Sequence, residues 1–172
     1  MTIVARIVLA DCEAALTDLT GCGVGSEWSR RWVALVALLR AVGHVLDKVD
    51  GQRSRELRRV VDDEYRRLKD LKPEPHIFWS FIEEERNVIL KEYRFRGVHA
   101  SGFNVTSITA PSLKTGQQFT LTGDGSDDLH LHVFDEGPFA GRNHLDVAAE
   151  AIRWWRSYLD RIDALAEPSS RS

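Results

Sequence analysis

Ile77-Phe-Trp-Ser-Phe-Ile-Glu-Glu-Glu-Arg-Asn-Val-Ile-Leu-Lys-Glu-Tyr93 is the stretch on which the reading of the whole chain turns. Stepping 100° per residue from Phe78 puts Phe78, Phe81, Ile82, Ile89 and Tyr93 in one stripe, which predicts a core helix. Glu85 falls inside that stripe and Arg86 on its flank. A carboxylate buried there without a partner either costs several kcal/mol or takes up a proton. Glu85 and Arg86 therefore read as an internal polar lock or as part of a site.

Pro73 and Pro75 break the chain before this helix, which starts at about Pro75 or His76 and ends near Gly97, since proline costs little in a first turn. Three helices precede it. The first spans Thr2 to about Leu19 and stops at the glycine-rich run from Thr20 to Gly25, where no Lys-Ser/Thr follows to make a phosphate loop. The second opens at Ser26-Glu27 and runs to Asp50-Gly51, with His44 read as a core or boundary histidine without chemistry. The third covers 52–72 and carries a net charge of +3. Its charged side reads as a solvated face with pairs such as Asp62 with Arg66 and Asp63 with Arg67, or else as an RNA-binding surface.

Beyond Gly97 the pattern alternates. Residues 103–109, 118–122 and 129–134 are short, rich in β-branched and aromatic side chains, and separated by turn residues, which predicts a small antiparallel hairpin or sheet. A last helix runs from Asn143 or His144 to Leu165, and the tail from Glu167 is expected to be disordered. The fold class is mainly α: an up-and-down bundle of four to five helices in one domain over 1–166, with a β insertion at about 103–134 before the C-terminal helix.

The totals fit this. A chain of 172 residues with net charge −3, 43% hydrophobic and 28% charged, can bury a substantial core and does not by itself suggest nucleic acid or a membrane. Cys12 and Cys22 lack zinc spacing, which makes a reducing cytoplasm the default and leaves their pairing open. Residues 2–10 run into Asp11 and Glu13 with no small-residue cleavage site. The apolar run from Trp32 to Leu39 falls far short of the roughly 20 residues a bilayer needs. No cofactor and no membrane partner are expected.

Two groups of residues could carry chemistry. Glu85-Arg86-Asn87, with Lys91 four intervening residues after Arg86 and antiparallel helices before it, resembles the HEPN superfamily over residues 2–96. Those proteins are helical bundles whose ribonuclease members carry an Arg, often followed by Asn or another polar residue, then four to six residues and a His. Lys91 stands where that His would be. In metal-independent RNA cleavage a neutral imidazole takes the 2′-hydroxyl proton while an Arg stabilises the developing phosphorane charge, whereas a lysine carries its own proton at pH 7. Tyr93 lies 20° from Arg86 on the wheel, yet a phenol is a poor base. His99 follows Arg94 at motif spacing, but Gly97 between them interrupts a continuous helix. The resemblance implies an RNA-associated homodimer of toxin or defence type, a degenerate or inactive ribonuclease. If active, it would be a metal-independent endoribonuclease using Arg86, Asn87, Lys91, Tyr93 and His99.

The second group lies between Asp124 and Glu136, which hold five acidic and no basic residues. On a strand, His130 and His132 share a face, and Glu136 could complete a metal site with them or with His144 or Asp146. Two further functions thus stand beside the first: a non-catalytic protein-interaction module, and a metal-dependent hydrolase using His130 and His132.

Overall fold

A computed structural model describes residues 1–22, 25–100, 107–111, 118–122 and 131–167. The chain is mainly helical. In order come α1 (Ile3–Thr20), α2 (Ser26–Lys48), α3 (Arg55–Asp70), a π-helical segment (Ile77–Glu83) continuing directly as α4 (Glu84–Glu92), and α5 (His144–Ala166). Strands β1 (Val98–Ala100), β2 (Ser107–Pro111), β3 (Gln118–Thr122) and β4 (Leu131–Val133) lie between α4 and α5. They form two separate antiparallel pairs, β1 with β4 and β2 with β3, with His99 opposite His132 in the first. Residues 103–106, 129 and 130 of the expected strands, and the tail from 168, lie outside the described residues.

Helix α2 is the centre of the core. Trp28, Trp32, Leu35, Val36, Leu39, Val42 and Leu46 are all buried, at the spacing of one wide apolar stripe. Around it pack Ala5, Leu9 and Cys12 of α1, Phe81 and Ile82 of the π-helical segment, and Val147, Ala151, Trp155 and Leu159 of α5. Burial pushes the Cys12 thiol up to about 12, and Cys12 and Cys22 are both free.

The π-helical segment changes the wheel drawn from the sequence. An i→i+5 turn is wider than an α turn, so five of its seven residues are buried: Ile77, Phe78, Trp79, Phe81 and Ile82. Trp79, off the stripe at 100° per residue, thus reaches the interior. Tyr93, placed in the stripe, is 70% exposed. It adopts the left-handed conformation (φ 48°, ψ 37°) and its N–H donates to the Ile89 carbonyl, 2.9 Å away. That residue ends α4 at Glu92 rather than near Gly97 and turns the chain back on itself.

Two helix starts are capped by a local side chain, and α3 begins at Arg55 rather than at residue 52. Ser54 Oγ accepts from the Leu57 N–H at 3.1 Å, and Asn143 Oδ1 from the Leu145 N–H at 2.8 Å. Helix α1 is capped from elsewhere. A 3₁₀ turn over Asp50–Gln52 separates α2 from α3 and aims the buried Asp50 carboxylate at the N–H groups of Val4 (3.1 Å) and Ala5 (2.8 Å). Asp163 of α5 accepts from the Thr2 N–H and hydroxyl at 2.7 and 2.9 Å. Both carboxylates sit where the helix dipole favours negative charge.

The ion pairs of α3 differ from the expected ones. Arg58 pairs with Asp62, Arg59 with Asp63 at 3.6 Å, and Arg66 with Asp63 at 3.0 Å. Glu64 is buried and bound by Arg161 of α5 at 2.7 Å as well as by Arg67. The charged helix is therefore clamped to α5 through one carboxylate. Burial disfavours the Glu64 anion, but the two guanidinium partners outweigh it and hold its pKa below the ordinary value.

Candidate functional site

Adjacent residues of α4, about 100° apart on the helix, define two different sites. Glu85 points inward and is 1% exposed. Because Tyr93 reverses the chain, the nearest cation to Glu85 is Arg96, with Nε 3.8 Å from the carboxylate. This corrects the lock expected between Glu85 and Arg86. Arg96 also donates from Nη2 to Glu84 at 2.8 Å and lies 3.5 Å from Glu136. One guanidinium thus gathers three carboxylates. Burial pushes the Glu85 carboxyl up to about 7, against the lowering effect of the Arg96 charge and N–H.

The wall of this centre is aromatic. His144, the first residue of α5, is fully buried, and its Nε2 lies 3.0 Å from the Arg96 carbonyl. Its ring stacks on Phe134 at 4.0 Å and meets Trp28 and Trp32 edge-on at 5.5 and 5.0 Å. His132, 3% exposed, lies flat on the Trp28 indole at 3.9 Å with 2° between the planes. Gly97 is required by this crowding. A Cβ there would stand 2.4 Å from His144 Cε1 and 2.5 Å from the Val133 carbonyl.

Arg86 leaves the helix on the flank of the apolar stripe. It is half-buried, donates to Asn87 Oδ1 at 2.9 Å, and its charge acts on His44 of α2. Arg40 of α2 lies 3.6 Å from Glu83 on the same flank. His44 is largely exposed, at the boundary of the core rather than within it. Burial of its ring, then the charges of Arg40 and Arg86, hold its pKa below the ordinary value. Lys91 and Tyr93 lie at the exposed end of α4. The backbone of His99 is in β1, across from His132 rather than on α4.

Beside this flank a cavity of about 440 Å³ opens between α2, α3, α5 and the π-helical segment. Its floor is apolar, with Leu68, Phe78, Trp155 and Tyr158, and its α2 edge carries Arg40, His44 and Lys48 one turn apart. Sequence reading missed this cavity, although the i, i+4, i+8 spacing of those three residues is a signal of a shared face.

For metal chemistry the arrangement offers little. His130 lies outside the described residues, His132 is packed against Trp28, and Glu136 faces Arg96. Among the described residues no three His, Cys, Asp or Glu side chains stand together as a metal site would need, and no helix is long and apolar enough to cross a membrane. Compared with protein-family models, curated proteins and solved structures, the chain matches none.

Proposed function

We propose that the protein is a HEPN-like, RNA-associated bundle in which Arg86 and Asn87 contact RNA without cleaving it. The observation that carries this reading is the position of Arg86: half-buried, bonded to Asn87 and close enough for its charge to act on His44. With Arg40 on the same flank, the site offers two guanidinium groups to a phosphate backbone, the geometry that favours planar, bidentate recognition. Helix α4 itself supplies no general base. Lys91 is exposed at the end of α4, and Tyr93 has left the helix that Arg86 occupies.

The same reading makes the chain a homodimer. Leu90, one turn beyond Arg86, is 51% exposed and Tyr93 is 70% exposed. An apolar surface beside a polar motif is the composition of an interface core with its rim.

Fluorescence anisotropy with a labelled structured RNA tests the contact. Wild type is expected to bind, and Arg86→Ala to bind about tenfold more weakly, a loss near 1.4 kcal/mol. Gel analysis of the same mixtures should show no cleavage by either protein. Equal affinity for both proteins, or no binding by wild type, would end the proposal.

A further inference from the structure

The cavity beside α2 has a polarity that selects one kind of occupant. Its volume of about 440 Å³ is in the range of small-molecule sites. The floor is aromatic. Gly43 makes it so, because Trp155 Cη2 lies only 3.0 Å from where a Cβ on residue 43 would be, and any larger residue would press on the indole. A flat apolar group laid on this floor would keep contact with Phe78, Trp155 and Tyr158.

The rim has two electrostatically distinct ends. On the α3 side, Arg58 is engaged by both Asp47 and Asp62, the first at 2.7 Å, so that end is already neutralised. On the α2 side, the main charges that act on His44 are those of Arg40, Arg86 and Lys48, opposed by that of Asp47. Asp47 is itself shared between Lys48, at 2.8 Å, and Arg58. Arg40 keeps only a loose contact with Glu83, 3.6 Å away. The corner at Arg40 and His44 is therefore positive.

We propose that this cavity binds a small organic anion, with a flat apolar body on the Phe78–Trp155–Tyr158 floor and one phosphate or carboxylate head between Arg40 and His44. The head would join Arg40 in a charge-assisted hydrogen bond and accept a second from the imidazole. Binding is linked to protonation. Desolvation and then the facing cations, Arg40 first, hold the His44 pKa below the ordinary value in the empty site. A bound anion reverses that balance and draws a proton onto the ring. Of the other titratable groups at the cavity, Arg58 is paired with Asp47 and Asp62, and burial raises the pKa of the Tyr158 phenol. Affinity accordingly rises as pH falls from about 8 toward about 6, where an ordinary histidine titrates. The site shares Arg40 with the proposed RNA contact but not Arg86 or Asn87, neither of which lines the cavity.

Isothermal titration calorimetry on the full chain with 1-naphthyl phosphate, 1-naphthol and inorganic phosphate tests the proposal. The ester is expected to bind at least about tenfold more tightly than either fragment, and more tightly at the lower pH. Arg40→Gln and His44→Gln should each weaken it about tenfold while leaving the circular dichroism of both variants unchanged. His44→Gln should also flatten the pH dependence beyond that of the ester's own ionisation, read from the same titrations with Arg40→Gln, which keeps it. Absence of ester binding, equal binding of inorganic phosphate, or affinity unchanged in both variants would overturn the assignment.

Discussion

Glu85 and Arg86 are neighbours in the chain and leave α4 into different environments. The carboxylate enters the interior, where it meets Arg96, itself shared with Glu84 and Glu136; the guanidinium stays at a half-open flank facing α2. The inner group is governed by desolvation, and its protonation is in play near neutral pH. The outer one keeps water within reach, so its charge is free to act on a partner. A single helix can thus carry a stability element on one side and a contact surface on the other.

The contrast predicts opposite responses to substitution. Arg96→Ala should have the largest effect, because it leaves Glu85 buried without its cation. A loss of about 3–5 kcal/mol is expected in urea unfolding at pH 8. The loss should shrink at about pH 5, where Glu85 is protonated and needs no counter-charge. A loss that is the same at both pH values would mean that Arg96 acts through packing alone.

Glu85→Gln should do the reverse. A carboxyl raised from 4.5 to about 7 in the folded state binds more protons folded than unfolded between those values. Its contribution is therefore complete below pH 4.5 and lost as pH rises through about 7, amounting to about 3 kcal/mol. The amide removes that loss, so the variant should melt higher than wild type at pH 8 and much like it at pH 4. A melt at pH 8 equal to wild type would show that the Arg96 charge already offsets the burial.

Gly97→Ala tests the crowding that shapes the inner centre. Its methyl would collide with the His144 ring and the Val133 carbonyl, and overpacking of this kind costs about 1–3 kcal/mol. Smallest of all is Arg86→Ala, expected to change the unfolding free energy by no more than about 0.5 kcal/mol, as for a surface residue. A cost of several kcal/mol would make Arg86 part of the buried lock after all and erase the difference between the two sides of α4.

Local pattern was enough for the helices. Asn143 marks a helix start, the apolar stripe of α2 fixes its buried face, and the burial of Glu85 follows from its place among Phe81, Ile82 and Ile89. These features depend on residues within one or two turns of each other, which is the range over which helical spacing carries information. The π-helical segment and the reversal at Tyr93 broke the pattern, since both change the angle per residue that a wheel assumes.

The sequence by itself thus determined a mainly helical chain with a carboxylate in the seam of its fourth helix and an Arg-Asn pair beside it. Only the tertiary structure decided what those groups meet. Asp50 caps a helix that begins 47 residues earlier in the chain, Arg96 returns to Glu85 after a left-handed turn, and Trp155 slides under Gly43 to floor the cavity. Each of these contacts joins segments distant in the chain. Their chemistry is written in the residues, but their distances arise only when burial of the apolar stripes brings the helices together.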